Sequence, residues 1–386
     1  MTKLSGTTWI PLVALFTLGM SNAPLLPIWL PGAAQRFGLG PAQPGLIASL
    51  EIACVAASSI LWASRRHVAG RAAWLTAAIL VSIAANLLSL AAQQIVVLVV
   101  ARAAAGLALG LILAEITRRA ATMPDPQRVF ARQQLGLILF VATFFATVPM
   151  AVAAYGAFVP FAYGAVLGLV ALISLIWLPA ADAKQDTPMN RAADAAAVRN
   201  GGAAAMALTA IALTYLTQNG VWAYIAEAAK GSGTDLPLMG RVLAIGAFVN
   251  LLAPIIAERF GNGRDRRVPL AVGYIGLAVS VLLITLGLGQ AEFIVGAIGL
   301  NLCLMFVTPF LLGILAELDS SGRTAAAGPA FFTIGAAIGP ALGGVLIAAG
   351  GIPSLGVVLA AFAAAALLLC YVATARLRRP LTRLEA

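Results

Sequence analysis

The chain has 386 residues, of which 61% are hydrophobic and only 10% are charged, and its formal net charge is +10. A mean hydropathy of +0.98 excludes a soluble globular domain and indicates a polytopic membrane protein. The apolar runs of Ala, Leu, Gly and Val lack the strict alternation of a membrane β-barrel, so the predicted fold class is all-α.

Twelve stretches are long and apolar enough to cross the ~30 Å hydrocarbon core as helices. The predicted spans are 8–30, 43–63, 71–91, 94–117, 131–153, 157–178, 203–228, 237–258, 268–289, 292–316, 325–349 and 353–376. The first span lacks an A-x-A cleavage site, so it is predicted to be a retained helix and not a signal peptide.

One long polar connection interrupts the spans, between Pro179 and Gly202. It predicts an N-terminal six-helix bundle over 1–179, a cytoplasmic linker over 180–202 and a C-terminal six-helix bundle over 203–386. Two halves of six spans are the arrangement expected of transporters that are built from structural repeats.

Basic residues alternate from loop to loop, and twenty of the 24 Lys and Arg fall on one side of the predicted membrane. Because positive charge is retained in the cytoplasm, both termini are predicted to be cytoplasmic. The predicted location is the bacterial inner membrane.

The arginines lack interleaved aromatic residues, so nucleic acid is not an expected partner. The expected partners are the lipid bilayer, a small-molecule substrate and protons, and the chain is predicted to be a monomer.

Arg102 lies well inside the fourth span, where an ionised side chain costs several kcal/mol unless it is paired or faces water. Glu51 in the second span is the candidate partner, because both residues lie about eight residues, or ~12 Å, from the outer ends of their spans. Two interpretations stay open. Either Glu51 carries the coupled proton, since a guanidinium is effectively always protonated, or the pair is a static link between the two spans.

The candidate substrate-binding residues are the few other polar or soft side chains that share faces inside the spans. They are Asn22 in span 1, Tyr215, Gln218, Asn219 and Trp222 in span 7, and Asn301, Met305 and Thr308 in span 10. The Asn219-Gly220 step also permits a local break in its helix. For each polar residue alone, the alternative is an interhelical hydrogen bond without ligand contact.

Other functional classes find little support in the sequence. The three cysteines lie inside spans without metal-ligand spacing, and no Walker motif occurs. No metal, no cofactor and no enzymatic activity are therefore expected.

Glu115 is expected to pair with Arg118 or Arg119, one helical turn further along.

Three motifs resemble those of the major facilitator superfamily. The stretch Ala257-Glu-Arg-Phe-Gly261, followed by basic residues, is similar to the family's loop signature, whose first-half copy here has Ser64 at the acidic position. Arg102, with glycines four and eight residues later, resembles the fourth-helix R-x-x-x-G-x-x-x-G pattern. The stretch Gly335–Gly344 is similar to the exporter signature G-x-x-x-G-P-x-x-G-G, although it lies on span 11 and not on span 5.

This resemblance implies two pseudo-symmetric six-helix bundles, with spans 1, 4, 7 and 10 lining a central cavity where the candidate binding faces meet. It associates Arg102 with proton transfer. It also implies gating residues, which are Glu258, Arg259, Gly261, Gly339 and Pro340. The leading function is proton-coupled efflux of small amphipathic compounds by alternating access. The alternative is proton-coupled import of a small organic anion that Arg102 neutralises.

Overall fold

The computed structural model describes residues 9–65, 70–123, 125–178, 201–261, 266–318 and 323–377. The first half consists of α1 (Trp9–Gly19), α2 (Asn22–Phe37), α3 (Ala42–Ser64), α4 (Arg71–Ala91), α5 (Ile95–Ala121), α6 (Pro126–Tyr155) and α7 (Val159–Ser174). A short 3₁₀ turn, Leu175–Trp177, follows α7. Most of the predicted linker lies outside the described residues.

The second half consists of α8 (Gly201–Ala223), α9 (Ile225–Gly231), α10 (Leu236–Val249), α11 (Leu252–Gly261), α12 (Arg267–Thr285), α13 (Gln290–Leu318) and α14 (Arg323–Leu377). The backbone of Gly350 and Gly351 is not helical, and the φ of 75° at Gly351 is one that glycine adopts without strain. Two helices therefore meet at this kink within α14.

Nine of the described helices are long and apolar enough to cross a membrane, and ten if the pair α10 and α11, bent by 42°, counts as one span. The nine include α1 and α2 as one span and α14 as one helix, although α14 has the length of two spans. The 23-residue α8 is long enough to cross a membrane, but its threonines, glutamine and asparagine make it less apolar than these nine helices. If α10 and α11 form one span, α14 forms two and α8 forms one, the described helices correspond to the twelve predicted spans.

The connections between spans fall at two ends of the molecule. The short-loop end carries the turns at 38–41, 92–94, 156–158, 232–235 and 286–289 and the kink at 350–351. The basic end carries the opposite connections, with Arg71 and Arg266 beside the starts of spans 3 and 9. Arg71 pairs with Glu115 at the end of span 4 (3.0 Å), and Arg266 pairs with Glu317 at the end of span 10 (2.5 Å). Corresponding positions of the two halves thus carry corresponding ion pairs.

Glycines allow the closest helix contacts. A Cβ at Gly106 on α5 would lie 2.4 Å from the carbonyl oxygen of Glu51 on α3, and a Cβ at Gly110 would lie 2.2 Å from that of Val55. The two backbones therefore touch, as a stripe of small residues permits in membranes. Gly106 and Gly110 follow Arg102 by four and eight residues and lie on the same face of α5.

Candidate functional site

Arg102 is enclosed within the first half, where only 2% of the residue is exposed. Its Nη1 lies 3.4 Å from Oε1 of Glu51, which is equally buried. Its Nε donates to Oγ of Ser89 (3.0 Å), and its Nη2 donates to Oδ1 of Asn86 and to the carbonyl of Ala85 (3.2 Å each). The pairing expected from equal depth is present, while its role in proton coupling stays a prediction.

The ring of Phe161 on α7 covers the guanidinium, with 4.4 Å between Cζ and the ring centre. Of these five partners of Arg102, three lie on α4 and one on α7, whereas α3 supplies only Glu51, at the longest hydrogen-bonding distance. Arg102 is thus held chiefly by α4 and α7. Sequence reasoning missed the α4 partners, although Ser82, Asn86 and Ser89 form a polar stripe at helical spacing.

A second cluster of polar residues joins α8 to α13. Nε2 of Gln218 donates to Oδ1 of Asn301 at 2.6 Å, and the hydroxyls of Tyr215 and Thr308 lie 3.5 Å apart. Gln218 is only 6% exposed, yet its Oε1 has no hydrogen-bond partner among the described residues. The structure therefore brings together the two faces that the sequence predicted would meet.

Aromatic rings flank this cluster. The Tyr215 ring stacks on Phe332 with 4.5 Å between centres, and Trp222 meets the edge of Phe145 from the first half at 5.7 Å. Nε1 of Trp222 also donates to the carbonyl of Ala23 (2.8 Å). That carbonyl lacks its usual helical partner because the residue four positions later, in α2, is a proline without an N–H. Neither Phe145 nor Phe332 was selected from the sequence.

Three further candidate binding residues have different surroundings. Asn22 is half-buried at the start of α2, beside the carbonyl that Trp222 binds. Met305 is half-buried on α13, and the missing N–H of Pro309 leaves the Met305 carbonyl without its helical partner. Asn219 instead donates to the carbonyl of Tyr215 in its own helix (3.0 Å).

The local helix break that the sequence permits at Asn219-Gly220 does not occur. Helix α8 continues to Ala223, and the chain bends at Tyr224 instead. The side chain of Asn219 donates to the carbonyl four residues earlier, and helical geometry brings these two groups close together. Gly220 packs against Gly339 of α14, where a Cβ on Gly339 would lie 2.7 Å from the Gly220 nitrogen. Close packing of two helices thus keeps this step helical.

The candidate gating residues fall into two groups. Glu258 and Arg259 are exposed near the end of α11, which Gly261 terminates. Glu258 also lines a cavity of about 260 Å³ with Pro254, Ala257, Arg266, Pro309 and Phe310. Gly339 and Pro340 lie instead where α14 contacts α8, and the Pro340 carbonyl accepts a hydrogen bond from Tyr224 (3.1 Å). A gating role for either group stays a prediction.

Glu115 accepts hydrogen bonds from Arg118 (2.7 Å) and Arg119 (2.9 Å), as the sequence predicted. It also accepts from Arg71 (3.0 Å) and from Nε1 of Trp62 (3.1 Å), which the sequence did not reveal. Glu115 is fully buried and therefore ties α3, α4 and α5 together at the basic end. Among the described residues, no three His, Cys, Asp or Glu side chains are grouped so that they could hold a metal ion.

The long apolar helices define a multi-pass membrane protein. The chain belongs to the Major Facilitator Superfamily, whose sequence profile matches residues 12–328. Members of this superfamily are transporters and not enzymes. No single curated protein matches the sequence.

Solved transporter structures share the fold. The nucleoside transporter NupG is 14% identical with a TM-score of 0.72, covering 98% of this chain and 100% of its own. A D-xylose–proton symporter is 14% identical with a TM-score of 0.73, covering 96% of this chain and 97% of its own. A peptide transporter, POT, in complex with alafosfalin is 15% identical with a TM-score of 0.74, covering 96% of both chains.

Proposed function

We propose that the chain is a proton-coupled exporter of small amphipathic compounds that works by alternating access. The single observation that carries the substrate class is the cluster between α8 and α13. It consists of aromatic rings and uncharged side chains, as the Gln218–Asn301 pair and the Tyr215–Phe332 stack illustrate. Such surroundings favour an apolar molecule with a few polar groups, because burial of an unpaired charge is costly.

The cluster also contains an acceptor without a partner among the described residues, Oε1 of Gln218. Pro309 removes the usual helical donor to the Met305 carbonyl beside it. A substrate that donates hydrogen bonds would bind to such acceptors. An unsatisfied buried acceptor costs about 1–3 kcal/mol, so this is a substantial contribution to selectivity.

Proton coupling is assigned to Glu51. Its partner Arg102 stays protonated and is held by groups on α4 and α7, so Glu51 is the member of the pair that can gain or lose a proton. A small displacement of α3 would change the separation of the two charges. The interaction between them would then differ between the two conformations of the transport cycle.

The test is Glu51→Gln in inverted membrane vesicles, with transport followed under an imposed pH gradient. We expect substrate binding and exchange to persist while gradient-driven accumulation falls by about tenfold or more, since the only titrating member of the pair is lost. Glu292→Gln on the short-loop side is the matched control, because that carboxylate precedes the apolar part of α13. A stable Glu51→Gln protein that still responds to the gradient would refute the coupling role.

The alternative, import of an organic anion neutralised by Arg102, has less support. The guanidinium already has a carboxylate partner and four other neighbours, and only 2% of the residue is exposed. An anion would have to displace Glu51 from a buried site. Uptake into right-side-out vesicles, with no uptake into inverted ones, would favour import over export.

We further propose a bacterial inner-membrane location and a monomer. Cytoplasmic termini are proposed on the basis of the alternating basic loops. A reporter fused after Arg199 is then cytoplasmic, and one inserted at 154–156 is periplasmic. The opposite labelling would contradict the orientation.

A further inference from the structure

At the short-loop end, the two halves of the molecule meet through their backbones. Gly45 on α3 faces Pro340 on α14, and a Cβ at Gly45 would lie 2.2 Å from the Pro340 carbonyl oxygen. Gly344, one turn further along α14, faces α3 in the same way, with a Cβ position 2.8 Å from the Pro41 carbonyl oxygen. No side chain larger than hydrogen fits at either position without separation of the two helices.

The hydroxyl of Tyr224 lies between these two helices. It is 3.1 Å from the carbonyl oxygen of Pro340 and 3.3 Å from that of Pro41, and Tyr224 is only 2% exposed. A phenol has one proton, so it can donate to only one of the two carbonyls at a time. The Pro340 carbonyl belongs to its own half of the molecule, while the Pro41 carbonyl belongs to the other half.

A second hydrogen bond crosses the same contact. The backbone N–H of Ala341, next to Pro340, donates to Oγ of Ser49 on α3 at 2.9 Å. Trp222, two residues before Tyr224, reaches the carbonyl of Ala23 on α2. The segment Trp222–Tyr224 of the second half therefore contacts α2 and the residue that precedes α3 in the first half, beside the cluster between α8 and α13.

We propose that Tyr224 and Ser49, with the facing glycines Gly45 and Gly344, form a latch that holds the short-loop end closed. Release of this latch opens the cluster between α8 and α13 from that end. The contacts are hydrogen bonds and backbone packing, which separate without exposing a charge. The latch is a property of the contact between the halves, so it does not depend on the proposed substrate or on proton coupling.

The test measures distances between the halves in the full chain, reconstituted in nanodiscs. Cysteines Cys54, Cys303 and Cys370 are first replaced by serine. Spin labels then go on the exposed Gln43 and Ala348 at the short-loop end or, in a second protein, on the exposed Gln127 and Ala316 at the basic end. A rocking motion lengthens the first distance and shortens the second, whereas local loosening changes only the first.

Tyr224→Phe keeps the ring and removes the hydroxyl. Loss of one such hydrogen bond is expected to raise the ratio of open to closed protein about fivefold. Gly45→Ala is expected to shift this ratio further, because the added methyl group meets a backbone carbonyl that cannot rotate away. Tyr274→Phe is the matched control, since that buried hydroxyl bonds within the second half, to Thr214 at 2.7 Å.

The latch is supported if Tyr224→Phe lengthens the first distance and shortens the second while Tyr274→Phe changes neither. It is overturned if folded Tyr224→Phe gives the wild-type distances at both ends, or if Tyr274→Phe shifts them equally. Should Gly45→Ala fail to fold, Tyr224→Phe decides alone, because it leaves the packing volume of the ring unchanged.

Discussion

Helices α5 and α13 form the fourth spans of their respective halves, yet their polar groups differ in kind. α5 carries Arg102, which is paired with Glu51 and surrounded by protein on every side. α13 carries Asn301, which is bonded to Gln218 and half-exposed between helices. The first half thus contains a closed, charged centre, and the second half contains a neutral cluster with a free acceptor.

This difference matches the two tasks of the proton-coupled exporter that we propose. A buried ion pair responds strongly to small changes in distance because the surroundings screen charge weakly. The charge of a neutral amide does not change with pH, and such groups are better suited to hold a mostly apolar ligand. Helix α3 contacts both halves, since Glu51 on one face meets α5 while Gly45 and Ser49 on another face meet α14.

The largest effect is expected for Arg102→Met, which leaves Glu51 buried without its counter-ion. We expect a loss of about 3–5 kcal/mol in the free energy of unfolding, measured by thermal denaturation in detergent. Arg241→Met is the matched control, because that arginine is exposed. The double variant Glu51→Gln/Arg102→Met should lose less than the sum of the two single changes. Wild-type stability in Arg102→Met would show that the centre does not depend on the charge pair.

A smaller effect is expected in the neutral cluster. A double-mutant cycle of Gln218→Leu and Asn301→Leu should give an interaction energy of about 1 kcal/mol, since hydrogen bonds between membrane helices are typically weak. Tyr215→Phe is the control in the same cluster and should change stability less, because its hydroxyl lies 3.5 Å from that of Thr308. An interaction energy as large as the loss of unfolding free energy in Arg102→Met would contradict the expected difference between the charged centre and the neutral cluster.

The candidate site was partly predictable because helical spacing assigns residues to faces. Tyr215, Gln218 and Trp222 share a face of α8, and the predicted meeting with the α13 face is confirmed by the hydrogen bonds between them. Equal depth likewise identified Glu51 as the partner of Arg102. Periodicity does not say which helix lies opposite a face, so the meeting of the α8 and α13 faces was expected only from the family resemblance, and Phe145, Phe332 and Asn86 were not found.

By itself, the sequence determined that the chain is a membrane protein of twelve apolar spans, because hydropathy and length depend only on composition within each segment. It also determined which intramembrane residues carry charge. Only the tertiary structure decided that Arg102 is held by α4 and α7, that Asn219-Gly220 stays helical, and that Tyr224 lies between Pro41 and Pro340. These features depend on contacts between residues up to 183 positions apart in the chain. Such contacts form only when helices that are distant in the sequence pack together.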